Sequence, residues 1–149
     1  MYARILIATD GSALADQGLE QGLGLAKALG SEVTILTVSE PWTPLGADAT
    51  GFASTEFAFY DQFEQEAEKF ANAILADAAE AARKAGVDHK AVYIPRKHPA
   101  DAIVDYVAAN SIDLVVMASH GRRGVERVLL GSQTAEVATR SKVPVLVIR

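Results

Sequence analysis

Five short apolar runs punctuate this chain at 3–9, 33–38, 89–94, 112–117 and 143–148, each followed by a turn or by helical patterning. Runs such as Val33-Thr-Ile-Leu-Thr-Val38 and Leu114-Val-Val-Met117 are apolar on both faces, which marks strands covered on both sides. Between them the apolar period lengthens to that of a helix. Residues 13–29 carry Leu19, Leu23 and Ala26 on one face, with Leu25 and Leu29 beside it and Gly30 as the stop. Residues 56–85 read as a long acidic helix, broken near its start and ending at Gly86. Pro99 suits the first position of a helix running to Ala109, with Asn110 at its end, and residues 132–140 make a short last helix. Strands alternating with helices require a parallel sheet with helices on both faces, an α/β fold. Residues 39–55, rich in Pro, Gly and Ala, read as a long loop of the kind that serves as a lid.

At 149 residues, half of them apolar, the chain suits one domain over 1–149 with a sizeable core. No run approaches the roughly 20 apolar residues of a membrane helix. The N-terminus enters a strand pattern directly, without the layout of a signal peptide. There are no cysteines, which excludes disulfides, thiolate metal sites and cysteine catalysis. These features point to a cytoplasmic protein without a membrane partner. The net charge of −5 is unevenly spread, with the acidic excess before residue 95 and a basic excess after it. A local basic segment suits a small anionic ligand, and argues against nucleic acid, which needs a basic face across the domain.

That segment contains the most informative stretch, Met117-Ala-Ser-His-Gly-Arg-Arg-Gly-Val-Glu-Arg-Val-Leu-Leu-Gly-Ser132. It joins a buried strand to the start of a helix through a glycine-bearing loop. Such a junction binds phosphate, because helix N-terminal N–H groups and the helix dipole favour an anion. Gly121, Gly124 and Gly131 permit close backbone approach, and Ser132 is placed to cap the helix and to donate to a phosphate oxygen. The Walker A pattern, the dinucleotide fingerprint and the G-x-S-x-G elbow are all absent. In open parallel sheets ligands bind beyond the carboxyl ends of the strands, where strand order reverses. If the first and fourth strands are neighbours, Asp10 and the glycine loop share one crevice.

These residues resemble the universal stress protein family, in its nucleotide-binding branch. The resemblance runs through Ile5-Leu-Ile-Ala-Thr-Asp-Gly-Ser12, Val33–Val38, Asp113-Leu-Val-Val-Met-Ala-Ser-His-Gly121, Leu130-Gly-Ser132 and Val143-Pro-Val-Leu-Val147. In the family's signature, two glycines flanking two residues are followed by nine more residues and Gly-Ser or Gly-Thr. Here Gly121 and Gly131-Ser132 match, and Ala118 replaces the first glycine, adding a methyl where backbone approaches ligand.

The resemblance implies a Rossmann-like sheet of order 3-2-1-4-5 and an ATP, ADP or AMP ligand, with Mg²⁺ as a companion. Ala8, Thr9 and Asp10 would line the pocket, Asp10 meeting the ribose or the metal. Val38 would present backbone to the adenine. Met117, Ala118, Ser119, His120 and Gly121 would wrap ribose and phosphates. Gly131, Ser132, Gln133 and Thr134 would hold phosphate oxygens, and Arg122 and Arg123 would neutralise them. The function implied is a stress-response sensor or regulator that acts on a protein partner. It would form a homodimer through Val143–Ile148 and show at most slow ATP hydrolysis or autophosphorylation. The alternative is an interaction module of the same fold that binds no nucleotide.

Plainer roles stand beside these. Asp10-Gly-Ser12 is also turn and cap chemistry, and Ser132 also reads as a simple cap. His120 lacks a nucleophile or carboxylate at motif spacing and reads as a loop donor, with no catalytic residue assigned. His98 reads as a surface residue, Trp42 as a packed loop anchor, and Glu64, Glu66 and Glu68 as a solvated face.

Overall fold

The computed structural model describes residues 1–42, 53–121 and 130–149, with backbone alone over 53–57. Its elements are β1 (Arg4–Ala8), α1 (Ala13–Leu29), β2 (Glu32–Val38), α2 (Ala53–Ala85), β3 (His89–Ile94), α3 (Pro99–Asn110), β4 (Leu114–Ala118), α4 (Ser132–Arg140) and β5 (Val145–Ile148). All strand pairs are parallel, and the sheet order is β3-β2-β1-β4-β5. The expected architecture is therefore the one observed, with β1 and β4 adjacent.

Strand alternation sorts the core into two layers. Ile5, Ile7, Val33, Ile35, Leu114 and Val116 face α1 and α2, where Leu19, Leu23, Leu75 and Ala78 meet them. Leu6, Leu36, Val115 and Met117 face the other way, against Ile103 and Val107 of α3 and Val137 of α4. Among the described residues no helix is long and apolar enough to cross a membrane.

α1 ends where Gly30 takes φ +68°, a left-handed conformation in which its N–H reaches back to the last turn. The three interior glycines of α1, each costing about 1 kcal/mol of helix propensity relative to alanine, are not equivalent. Gly22 lies flat on the sheet, and a Cβ there would come within 2.7 Å of Ile7 Cδ1. Gly18 lies over the end of β4, with Ala118 N at 3.7 Å from such a Cβ. Gly24 has nothing within 4 Å, so the close packing expected of these glycines holds for the first two alone.

Other boundaries shift for local reasons. α2 is continuous from Ala53, three residues before the expected start and without the expected break. The loop expected over 39–55 is thus shorter, and residues 43–52 of it lie outside the described residues. Asn110 is the last residue of α3, the end expected for it, and Ser111, at φ 52°, makes the left-handed stop. Asp113 precedes β4 because its Oδ2 accepts the N–H groups of Ala3 (2.9 Å) and Arg4 (2.8 Å). Val143 precedes β5 because its N–H (3.2 Å) and its carbonyl (2.9 Å) both engage the Ser141 hydroxyl. Trp42 packs edge-on against Tyr60 with ring centroids 6.4 Å apart, as an anchor would.

Candidate functional site

The crossover from β1 to β2 and the return through β4 leave the centre of the sheet in opposite directions. A crevice therefore opens beyond the carboxyl ends of β1 and β4. Thr9 is fixed at its floor. Its N–H donates to Leu36 O (2.9 Å), its carbonyl accepts from Thr37 Oγ1 (2.7 Å), and its Oγ1 accepts the Gly11 N–H (3.2 Å). Asp10 Oδ1 accepts the Ser12 N–H at 3.0 Å, and Gly11 takes φ +72° to make the turn. Ser12 Oγ then accepts the Ala15 N–H at 3.2 Å and caps α1. The turn chemistry read for this segment is present, and it aims Asp10 across the crevice. A Cβ on Gly121 would lie 2.5 Å from Asp10 Oδ2, so this glycine and the carboxylate are in direct apposition.

The chain leaves β4 at Ser119 and returns at Gly131, and the two are joined. The Ser119 N–H donates to Ile148 O, and the Ser119 carbonyl accepts the Gly131 N–H, both at 2.7 Å. A Cβ on Gly131 would meet His120 Cα and Ser119 O at 3.2 Å, both backbone atoms. Thr134, nearly fully buried, donates its hydroxyl to Ala118 O at 2.8 Å. The first turn of α4 is thereby held against the end of β4. Gly131, not Ser132, is the N-cap, and it makes no side-chain cap bond; Ser132 is the first helical residue and is exposed. The N–H groups of Ser132, Gln133 and Thr134 have no intrahelical acceptor, and they sit at the positive end of the helix dipole. The Gly131 N–H is already committed to Ser119.

Two adjoining cavities fill the crevice. The inner one, about 150 Å³, has apolar walls from Leu36, Val38, Ile103 and Met117 and is closed by Thr9, Asp10, Ala118, His120 and Gly121. The outer one, about 430 Å³, is bounded by Asp10, Glu40, Gly121, Gly131, Ser132 and Gln133. Ala8 lies on the inner wall and Thr134 on both. Of the residues singled out in the sequence, Arg122, Arg123 and Gly124 fall outside the described residues. Ser119 is buried and supports the site through its backbone, with its hydroxyl 3.2 Å from His120 Nδ1.

Gln133 braces the site from behind. Its Oε1 accepts the Ala100 N–H at the start of α3 (2.9 Å), and its Nε2 lies 3.3 Å from His98 Nε2. His98 is half-buried and 3.2 Å from Glu136 Oε2, so it links α3 to α4 rather than lying free on the surface. A second link joins the same helices. The Arg140 guanidinium, 2.6 Å from Asp101, holds the Asp101 carboxyl below its ordinary range.

The sequence reading missed Leu36, Pro99 and Ile103 as wall residues. Pro99 and Ile103 are one helical turn apart on a helix that starts at the same sheet edge, which is the signal that would have found them. It also missed Glu40, which brings a second carboxylate to the outer chamber beside Asp10. Among the described residues no group of three His, Cys, Asp or Glu side chains is arranged to hold a metal ion.

The model of the universal stress protein family matches residues 1–149, the whole chain. The chain belongs to that family. This universal stress protein is 30% identical over 149 residues to universal stress protein YxiE of Bacillus subtilis, covering all of both chains. The fold matches universal stress protein UspA from Lactobacillus plantarum with a TM-score of 0.79 at 24% identity, covering 99% of this chain and 98% of that one. It also matches a universal stress protein solved in complex with cAMP, with a TM-score of 0.73 at 27% identity, covering 99% and 97%.

Proposed function

We propose that this universal stress protein binds an adenine nucleotide in the crevice between β1 and β4 and acts as a nucleotide-linked regulator in a stress response. The observation that carries the reading is the pairing of the two cavities. An apolar chamber of about 150 Å³ adjoins a chamber bounded by the N-terminus of α4. A base fits between Val38, Ile103 and Met117, and phosphate oxygens fit the open N–H groups of Ser132, Gln133 and Thr134. The relative solved with cAMP supports an adenine ligand. ATP, ADP and AMP share the base and ribose, and the outer chamber has room for a chain of phosphates. A divalent cation fits here as a companion of those phosphates, held by Asp10 with Glu40 nearby, since hard cations of this kind keep several waters and need few protein oxygens.

Ala118 favours the competing reading of a scaffold without nucleotide. Its pairing with Ile148, a member of the α1-side core, directs its methyl toward α1 even though Ala118 borders the inner chamber. This favours binding despite the missing glycine. Among the described residues Ser119 and His120 are adjacent in sequence, and no third group orients the ring, so the site is suited to holding a nucleotide and poorly suited to rapid transfer. Turnover should stay well below the roughly 1–100 per second of kinases.

Calorimetric titration of nucleotide-stripped protein with ATP, ADP, AMP and cAMP, with and without Mg²⁺, tests the reading. Binding in the range of roughly micromolar is expected for at least one of them. Folded protein that binds none of the four would overturn it in favour of the scaffold.

The same reading includes a homodimer. β5 is the sheet edge, Leu146 on it is 38% exposed, and its outer row of backbone groups is open to a second chain. Leu146→Lys should convert dimer to monomer in analytical ultracentrifugation. An unchanged dimer would place the interface elsewhere.

A further inference from the structure

One cavity lies apart from the proposed nucleotide crevice. It is a trough of about 610 Å³ on the opposite side of the sheet, between α1 and α2. Leu19, Leu23, Ile74 and Ala78 contribute its apolar lining. Among the described residues its charged lining consists of Asp16, Glu20 and Asp77, with no Lys, Arg or His. None of these three carboxylates is in an ion pair among the described residues. Gly24 also lines the trough, exposed in mid-helix, with open space where its side chain would be. Among the described residues nothing packed there requires a glycine, so its helix-weakening effect goes uncompensated by any of their contacts.

We propose that this trough receives a cationic amphipathic helix from a partner protein. Two parallel stripes set the shape of the occupant. On α1 the stripe from Asp16 to Gly24 spans about 12 Å, and on α2 the stripe from Phe70 to Ala85 spans about 22 Å, at 1.5 Å per residue. A helix of about ten to fourteen residues fills that length. Asp16 and Glu20 are one turn apart on one rim, and Asp77 stands on the other. Lysines or arginines flanking an apolar stripe would meet carboxylates on both sides while their leucines reach the lining. Gly24 lets the backbone of that helix approach α1 closely. The same carboxylates repel nucleic acid and anionic lipid surfaces. One end of the trough is bounded by Thr9 and Gly11 of the turn that carries Asp10.

The test uses a fluorescent synthetic helix of about twelve residues built from leucine and lysine on opposite faces, with a leucine–glutamate counterpart as control. Both are titrated into the full chain by anisotropy. The wild type should bind the leucine–lysine helix and ignore the counterpart, and binding should weaken as salt is raised. Gly24→Phe fills the trough from a position where no atom obstructs it, so the protein should keep its melting temperature and bind the peptide roughly tenfold or more weakly. The double change Glu20→Lys/Asp77→Lys should weaken the leucine–lysine helix by a similar factor and admit the leucine–glutamate one. Equal binding by wild type and Gly24→Phe would mean the peptide sits elsewhere on an acidic surface, and would overturn the proposal. So would equal affinity of the wild type for the two peptides. The readout involves no nucleotide, so failure here leaves the reading of the crevice untouched.

Discussion

Gly131→Val should fold normally and bind adenine nucleotide at least roughly 100-fold more weakly, about 2.8 kcal/mol at 1.4 kcal/mol per tenfold. The new Cβ would lie 3.2 Å from both His120 Cα and Ser119 O, and neither is a side chain that can rotate away. Relief requires parting the Ser119–Gly131 hydrogen bond, which joins the end of β4 to the start of α4. The open N–H groups of Ser132, Gln133 and Thr134 would then lose their aim into the outer chamber. Gly131 lies at the rim and outside both core layers, so the thermal melt should shift by no more than about 1 kcal/mol equivalent. Calorimetry with the nucleotide that the wild type binds, alongside the melt, reads both effects. Wild-type affinity in this variant would mean that α4 does not hold the phosphates. Gly121→Ala is a milder change by the same logic. Its Cβ meets the Asp10 carboxylate, which can turn away at the loss of its bond to the Ser12 N–H.

Gly22→Val should produce the largest loss of stability of any single change in α1. A Cβ at this position would come 2.7 Å from Ile7 Cδ1 and 3.3 Å from Val116 Cγ1, and valine adds two methyls beyond it. Ile7 and Val116 are fully buried at the centre of the sheet, so α1 must lift or the core must shift. Overpacking of this kind costs roughly 3 kcal/mol, which exceeds the gain of under about 1 kcal/mol from removing a helix glycine. For a domain of this size each kcal/mol moves the melting point by roughly 2–4 °C. Urea or thermal unfolding of Gly22→Val beside Gly24→Ala gives the contrast directly, since the second should be neutral or stabilising. Two glycines on one helix would then respond with opposite signs.

That contrast marks what the residues announced and what they could not. The alternation of apolar periods identified every strand and helix, because the difference between a two-residue and a 3.6-residue repeat survives in sequence. The adjacency of Asp10 and Gly121 followed once the topology placed β1 beside β4. Gly22 and Gly24, two residues apart, look alike in sequence, yet a rotation of about 200° around the helix sends one to the sheet and the other to solvent. Gly131 as the N-cap was missed in favour of Ser132, since a cap is defined by backbone dihedrals and Ser is the commoner residue type there. Glu40 was invisible as a pocket residue because its placement depends on how the chain leaves β2. Pro99 and Ile103 were readable as helix, but their role as a wall for the inner chamber arises from the packing of α3 over β2 and β4.

The bond from Asp113 to the backbone of Ala3 and Arg4 spans 110 positions of sequence. β1, the first of the five strands in chain order, is the central strand of the finished sheet. β2 follows it closely in sequence, but its second edge stays bare until β4 (Leu114–Ala118) has been made. Until then the nascent protein carries an unpaired apolar strand edge at Ile5–Ile7, the kind of surface that recruits other chains. Closure of that edge by β4 is a long-range parallel pairing, which is intrinsically slow. A member of a family named for stress is thus most exposed to aggregation in the interval between the emergence of its third strand and the docking of its fourth.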